Sequence, residues 1–200
     1  MDPDRPLPPM IDAAVARGWL DAVERRQGAL ALGRPVGPPL DPIAELAGLA
    51  GVAAKFLAVG TPRTMGLVGL RDLAPAVVAT QRAYAAPREL RVFDGDPVAA
   101  ARVAQAVDGR VTSLTEACAC DVVVARGPVA IERAWIRAGT LVTALDGGVV
   151  LAPALVAAAV VYTAGVVAEL VAHASLGAVA AGLVDGRTFD EIIVLVIGAG

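Results

Sequence analysis

Lysine, histidine, cysteine and aromatic rings are all scarce in this sequence, and each shortage removes a class of function. Lys55 is the single lysine, so the cations are almost all arginine. With a formal charge of −3 the chain has no surplus of basic residues to build a nucleic-acid-binding face. His173 is the single histidine, and Cys118 and Cys120 stand one residue apart. That spacing fits no zinc pattern, and one imidazole does not complete a metal site. The two cysteines read as free thiols of a reducing cytoplasm. Only 4% of residues are aromatic while 56% are hydrophobic, so the core has to be built from Ala, Val and Leu. Residues 1–10 carry four prolines and lack the apolar core of a secretion signal. An extended arm and a cytoplasmic location are expected.

One stretch, 147–168, carries no charge and passes the span rule of about 18 apolar residues. Pro153 interrupts its start and Gly165 its end, and the β-branched pair Val160-Val161 sits between alanine-rich segments. It reads as a helical turn, a buried strand over 159–163 and another helix, with no membrane span.

What the chain does have is alternation. Residues 11–32 predict an amphipathic helix with Ala14, Val15, Leu20, Val23 and Leu30 on its buried face. A proline–glycine linker over 33–42 ends on Asp41, placed to cap a second helix that has Pro42 at its first position and runs to about Val59. Short apolar runs then recur near 65–69, 89–94, 110–112, 121–125, 140–145 and 159–163, with helical segments between them. This pattern implies an α/β fold: a doubly wound, Rossmann-like parallel sheet with an N-terminal helical arm. The expected division is an arm over 1–43 and a dinucleotide-binding domain over 44–200. A last helix is expected over 166–183, and the run Ile192 to Ile197 is a candidate seventh strand.

The stretch 65–94 carries the functional signal. Gly69, Arg71 and Ala74 keep the spacing of a Gly-x-Gly-x-x-Ala phosphate turn, with arginine where the middle glycine belongs. Diphosphate needs bare backbone N–H groups at that bend. Arg71 either blocks the approach or swings outward to pair with the phosphates. Asp72 is placed to cap the helix and occupy the same N–H groups. Asp94, at the end of the second strand, suits acceptance of the adenosine ribose hydroxyls. Because Gly95 follows it rather than an arginine, NAD is favoured over NADP; the other reading of Asp94 is an aspartate leading into the next helix. Asp146 follows the fifth strand, where open parallel sheets place catalysis, and reads either as a catalytic carboxylate or as a turn residue. Arg126, after the fourth strand, is a candidate for the same crevice. His173, Asp190 and Glu191 suggest no site.

Four segments together resemble the ornithine cyclodeaminase / mu-crystallin family, in its nucleotide-binding half. Pro62-Arg63-Thr64 followed by Met65 to Gly69 is similar to that family's "ART" and "GIIG". Arg91 to Pro97 is similar to "V-Y-D-R-D-P". Cys120 to Val124, with Gly139 to Ala144, is similar to "ADIVVT…PG.HVNA". Gly186-Arg187-Thr188 with Glu191 to Val194 is similar to "GRTSDDEITV". The resemblance implies a nicotinamide cofactor, NAD, a small amino- or imino-acid substrate and hydride transfer at its amine carbon; the candidate cofactor contacts are Gly69, Arg71, Ala74, Asp94, Arg126 and Thr143. In the cyclodeaminase branch proline forms with release of ammonia. The family's substrate-binding, dimerising segment is replaced here by one helix and a linker, and Lys55 does not replace its lysine. The family's catalytic aspartate falls at Gly148, two residues after Asp146. The implied protein is a truncated relative that binds NAD(H). It would act on an amino or imino acid if a second chain, a homodimer mate or another partner, supplied the missing groups. The alternative is a non-catalytic Rossmann-type scaffold that has lost cofactor binding.

Overall fold

The computed structural model describes residues 9–146, 148–165, 167, 170–187 and 190–198. Helix α1 (Ala13–Ala31) starts at Asp12, whose carboxylate accepts from the Ala14 and Val15 amides. Helix α2 (Pro42–Leu57) starts the same way, from Asp41 to the Ile43 and Ala44 amides. In both cases the side chain satisfies N–H groups that the first helical turn leaves open. Strand β1 (Thr64–Val68) leads through a 3-10 turn (Arg71–Leu73) into α3 (Ala74–Tyr84). Next come β2 (Glu89–Phe93), α4 (Pro97–Val107), β3 (Arg110–Val111), α5 (Leu114–Cys118) and β4 (Val122–Ala125). They are followed by β5 (Val129–Ile131), β6 (Leu141–Ala144), β7 (Val149–Leu151), α6 (Pro153–Ala158) and β8 (Ala159–Ala164). The last elements are β9 (Ala174–Ser175), α7 (Leu176–Ala180) and β10 (Ile192–Ile197).

Eight strands form one parallel sheet in the order β3-β2-β1-β4-β6-β10-β8-β9. Each interior strand divides its side chains between two cores. Leu67, Val122, Val124, Leu141 and Leu195 face one side, while Val68, Val123, Val142 and Val194 face the other. Burial on both faces is why these strands read as unbroken apolar runs rather than alternating ones.

The six expected strands are present, and the run from Ile192 is a strand as well. It is not a late addition at the edge: β10 lies between β6 and β8. Residues 129–131 and 149–151, which lie in segments expected to be helical, instead pair as a separate two-stranded parallel sheet. The helix expected over 166–183 is corrected where its residues are described. Only Leu176–Ala180 is helical, because Ala174 and Ser175 pair with Tyr162 and Thr163 and Ser175 then caps the short helix. Positions 166, 168 and 169 of that expectation lie outside the described residues, as do Thr188 of the Gly-Arg-Thr motif and residues 1–8 of the arm.

The buried face of α1 also needs correcting. Leu20 and Val23 are buried as expected, together with Ala16 and Gln27, while Ala14, Val15 and Leu30 are exposed. Leu20 and Val23 seat on the glycine-bearing surface of α2, and this contact sets the rotation of the helix. Among the described residues no helix is long and apolar enough to cross a membrane.

Candidate functional site

The strand order reverses between β1 and β4: the chain runs β1-β2-β3 in one direction and β4-β6 in the other. A crevice outside the carboxyl ends of the strands at such a point is where open α/β sheets bind ligands. Here it is a cavity of about 920 Å³ whose wall includes Gly69, Arg71, Asp94, Arg126, Trp135 and Asp146. A smaller cavity of about 380 Å³ sits at the opposite strand ends, around Arg63 and Asp121. There the Asp121 carboxylate is spent on the backbone N–H groups of Arg63 and Thr64.

Gly69 turns the chain with φ 65° and donates its N–H to the Phe93 carbonyl at 2.9 Å. The Arg126 carbonyl hangs directly over it, so the bend is closed to any side chain. Arg71 follows with φ 48°, a left-handed conformation in which a non-glycine residue is strained. The residue two positions after Gly69 therefore has a backbone suited to glycine while carrying an arginine.

That arginine lies on Asp94. Its Nε donates to Oδ2 at 3.2 Å and its Nη2 to Oδ1 at 3.4 Å. Oδ1 also accepts the Asp96 N–H at 2.9 Å. The Asp94 side chain is 5% exposed and that of Arg71 46%, so a buried carboxylate fixes a half-exposed guanidinium. The hydrogen bond to Asp94, joined by the charges of Asp94, Asp96 and Asp72, holds the Arg71 pKa above its ordinary value.

The capping role expected for Asp72 is not what the structure shows. No side chain caps the 3-10 turn or α3, and Asp72 Oδ1 instead sits 4.0 Å from Arg126 Nη1. Arg126 Nε donates to Asp146 Oδ2 at 3.3 Å. Asp146 Oδ1 accepts the N–H groups of Gly127 and Gly148, both at 3.1 Å. This carboxylate ties together the two loops after β4 and β6, which is the work of a turn aspartate.

The structure thus gathers Gly69, Arg71, Asp94, Arg126 and Asp146 at one crevice. Ala74 and Thr143 are not part of its wall. Ala74 is buried as the first residue of α3. Thr143 points to the same side of β6 as Leu141 and Leu145 and is fully buried, with no hydrogen-bond partner for its hydroxyl among the described residues. His173 is exposed and meets the Tyr162 ring edge-on at 5.6 Å. Arg187 supports the sheet from its other end: its guanidinium donates to the Gly139 and Thr140 carbonyls, and burial pushes its pKa down.

Trp135, Leu114 and Asp96 also line the crevice. None of the three is among the site residues the sequence suggests, and Trp135 is the one with a readable signal. The signal that could have found it is a bulky ring shortly after a strand end at the switch point. No group of metal-ligating side chains occurs among the described residues.

No family model matches the sequence, and no curated protein does. Solved structures do match its fold. An archaeal alanine dehydrogenase dimer with bound NAD is 20% identical with a TM-score of 0.81, over 96% of this chain and 87% of that one. A Thermococcus litoralis Δ1-pyrroline-2-carboxylate reductase in complex with NADH and L-proline is 16% identical with a TM-score of 0.77, over 96% and 89%. A probable ornithine cyclodeaminase from Bordetella pertussis is 17% identical with a TM-score of 0.76, over 94% and 88%. The aligned 96% is too much of the chain to leave out α1, so the fold likeness reaches beyond the segment the sequence motifs cover.

Proposed function

We propose that this chain is a member of the ornithine cyclodeaminase / mu-crystallin family that binds NAD(H) in the crevice over Gly69 and handles a small amino or imino acid beside it. The observation that carries the reading is the bend itself. A glycine at φ 65° opens onto an uncapped helix start, at the sheet's switch point. Bare backbone there suits a diphosphate. The Arg71 and Asp72 amides of the 3-10 turn would hold the phosphates over Gly69, Asp94 would take the ribose, and Arg126 with Asp146 would shape the far end. When bound, the nicotinamide would supply hydride chemistry at the substrate's amine carbon.

The chain's own groups are few. Among the described residues the crevice wall has Arg71 and Arg126 as its cations and neither lysine nor histidine. Lys55 is engaged with Glu24 at 2.6 Å on the α1–α2 side. The carboxylates of the wall are engaged as well, Asp94 with Arg71 and Asp146 with Arg126 and two backbone N–H groups, so proton transfer to or from an amine calls for groups from a second chain, a homodimer mate or another partner.

The Arg71–Asp94 pair supports a second reading, a non-catalytic Rossmann-type scaffold whose ribose acceptor is permanently occupied. Titration with NADH separates the two. Trp135 lines the crevice, so binding should quench its fluorescence, with Trp135→Phe as the control. Ligand at about 100 times its dissociation constant should add ~2.7 kcal/mol of stability in thermal melts. Neither quenching nor a melting shift at millimolar NADH would leave the scaffold reading standing.

A further inference from the structure

At its ribose end the crevice is filled by the protein itself. Bidentate recognition of a ribose diol needs both oxygens of the acceptor carboxylate. In Asp94, Oδ1 already takes the Asp96 N–H and Arg71 Nη2, and Oδ2 takes Arg71 Nε. The carboxylate is also nearly inaccessible, whereas the guanidinium over it is half exposed and carried on a long stem. The backbone under that side chain is held at φ 48°, which glycine adopts without strain and arginine does not. Arg71 is thus a strained residue, and its side chain covers the one group the adenosine ribose needs.

We propose that Arg71 is an autoinhibitory latch on the ribose subsite. While its guanidinium lies on Asp94 the dinucleotide is kept from its acceptor, and binding proceeds when the latch swings away. The inference rests on the NAD(H) reading above and adds the regulation of that site. A protein whose binding-competent state is only partly populated shows an affinity reduced by that fraction. Removing the latch should therefore tighten binding, and the gain should depend on Asp94.

The test is calorimetric titration of NADH into the full chain as wild type, Arg71→Gly, Asp94→Ala and the double variant. Arg71→Gly is chosen because glycine suits the existing φ, and circular dichroism verifies its fold. The expected result is binding tighter by about tenfold or more in Arg71→Gly, with the gain gone in the double variant. If wild type binds and Arg71→Gly binds equally or more weakly, the latch is wrong and the NAD(H) reading stands. If the gain persists without Asp94, the arginine acts through bulk or charge alone, and the latch is again wrong. If neither wild type nor folded Arg71→Gly takes up NADH, both proposals fall together.

Discussion

Val23 of α1 presses its Cγ2 onto Gly48 of α2 so closely that a Cβ at Gly48 would lie 2.5 Å from it. The docking of the first helix therefore depends on a missing methyl group. Gly48→Ala is expected to destabilise by about 1–3 kcal/mol, the range for overpacking a well-filled contact. Val23→Ala alone should lose ~1–3 kcal/mol through the cavity it leaves. Combined, the two should cost less than their sum, because the new methyl fills the space the old ones vacate. Urea unfolding of the four proteins measures this coupling; strict additivity would show that α1 does not rest on this contact.

Gly69 is fixed for two independent reasons. Its φ of 65° strains any side chain, and a Cβ there would lie 2.3 Å from the Arg126 carbonyl oxygen. That oxygen belongs to backbone and has little freedom to retreat. Gly69→Ala should cost about 2–4 kcal/mol. Gly95, in the same crevice wall, has open space where a Cβ would go. Gly95→Ala should change stability by no more than ~0.5 kcal/mol. Equal effects at the two positions would contradict this account of the turn.

How much of this was legible in the sequence depends on range. Asp41 as a cap and the strands from Met65, Glu89 and Asp121 could be read because a cap or an apolar run is local. On α1, Leu20 and Val23 could be read as buried, but Ala16 and Gln27 in place of Ala14, Val15 and Leu30 could not, since the hollows at Gly48 and Gly51 that set the rotation of the helix lie on another element. Nor could the place of Ile192–Ile197: only pairing with β6 on one side and β8 on the other makes that strand interior. In the crevice, Gly69, Arg71 and Asp94 were each picked out singly. Their relationship was within reach, because parallel pairing of β1 with β2 puts the turn after Val68 beside the strand end at Phe93. The Arg71–Asp94 pairing itself needs the rotamer of Arg71, which no local pattern specifies.

Gln81, on α3, is 1% exposed, and among the described residues neither its Nε2 nor its Oε1 has a hydrogen-bond partner. A buried amide in that state gives up its bonds to water without replacing them. Gln81→Met, similar in length and apolar, should therefore stabilise by about 1 kcal/mol in urea unfolding. Gln81→Glu should destabilise, since it would bury a carboxylate with no partner. A loss of stability in the methionine variant would mean that the amide is satisfied after all, by bound water for instance.

The two thiols give the chain a pH dependence at the alkaline end. Burial, the largest cause in each case, pushes Cys118 from its ordinary 9.0 up to about 12 and Cys120 up to about 11. Between those values the folded chain keeps protons that the unfolded chain has released, so unfolding liberates protons as pH climbs. The stability is fully present below pH 9.0 and declines as pH rises toward the folded values, by up to ~1.4 kcal/mol per pH unit for each thiol. Unfolding curves of wild type and Cys118→Ala/Cys120→Ala should therefore converge above pH 9.0, with the variant falling less steeply. At pH 8 the native thiols should also resist Ellman's reagent and react only as fast as the chain opens, because the thiolate is the reacting species. Rapid native labelling, or parallel stability curves for the two proteins, would show that these cysteines are not held in their neutral form.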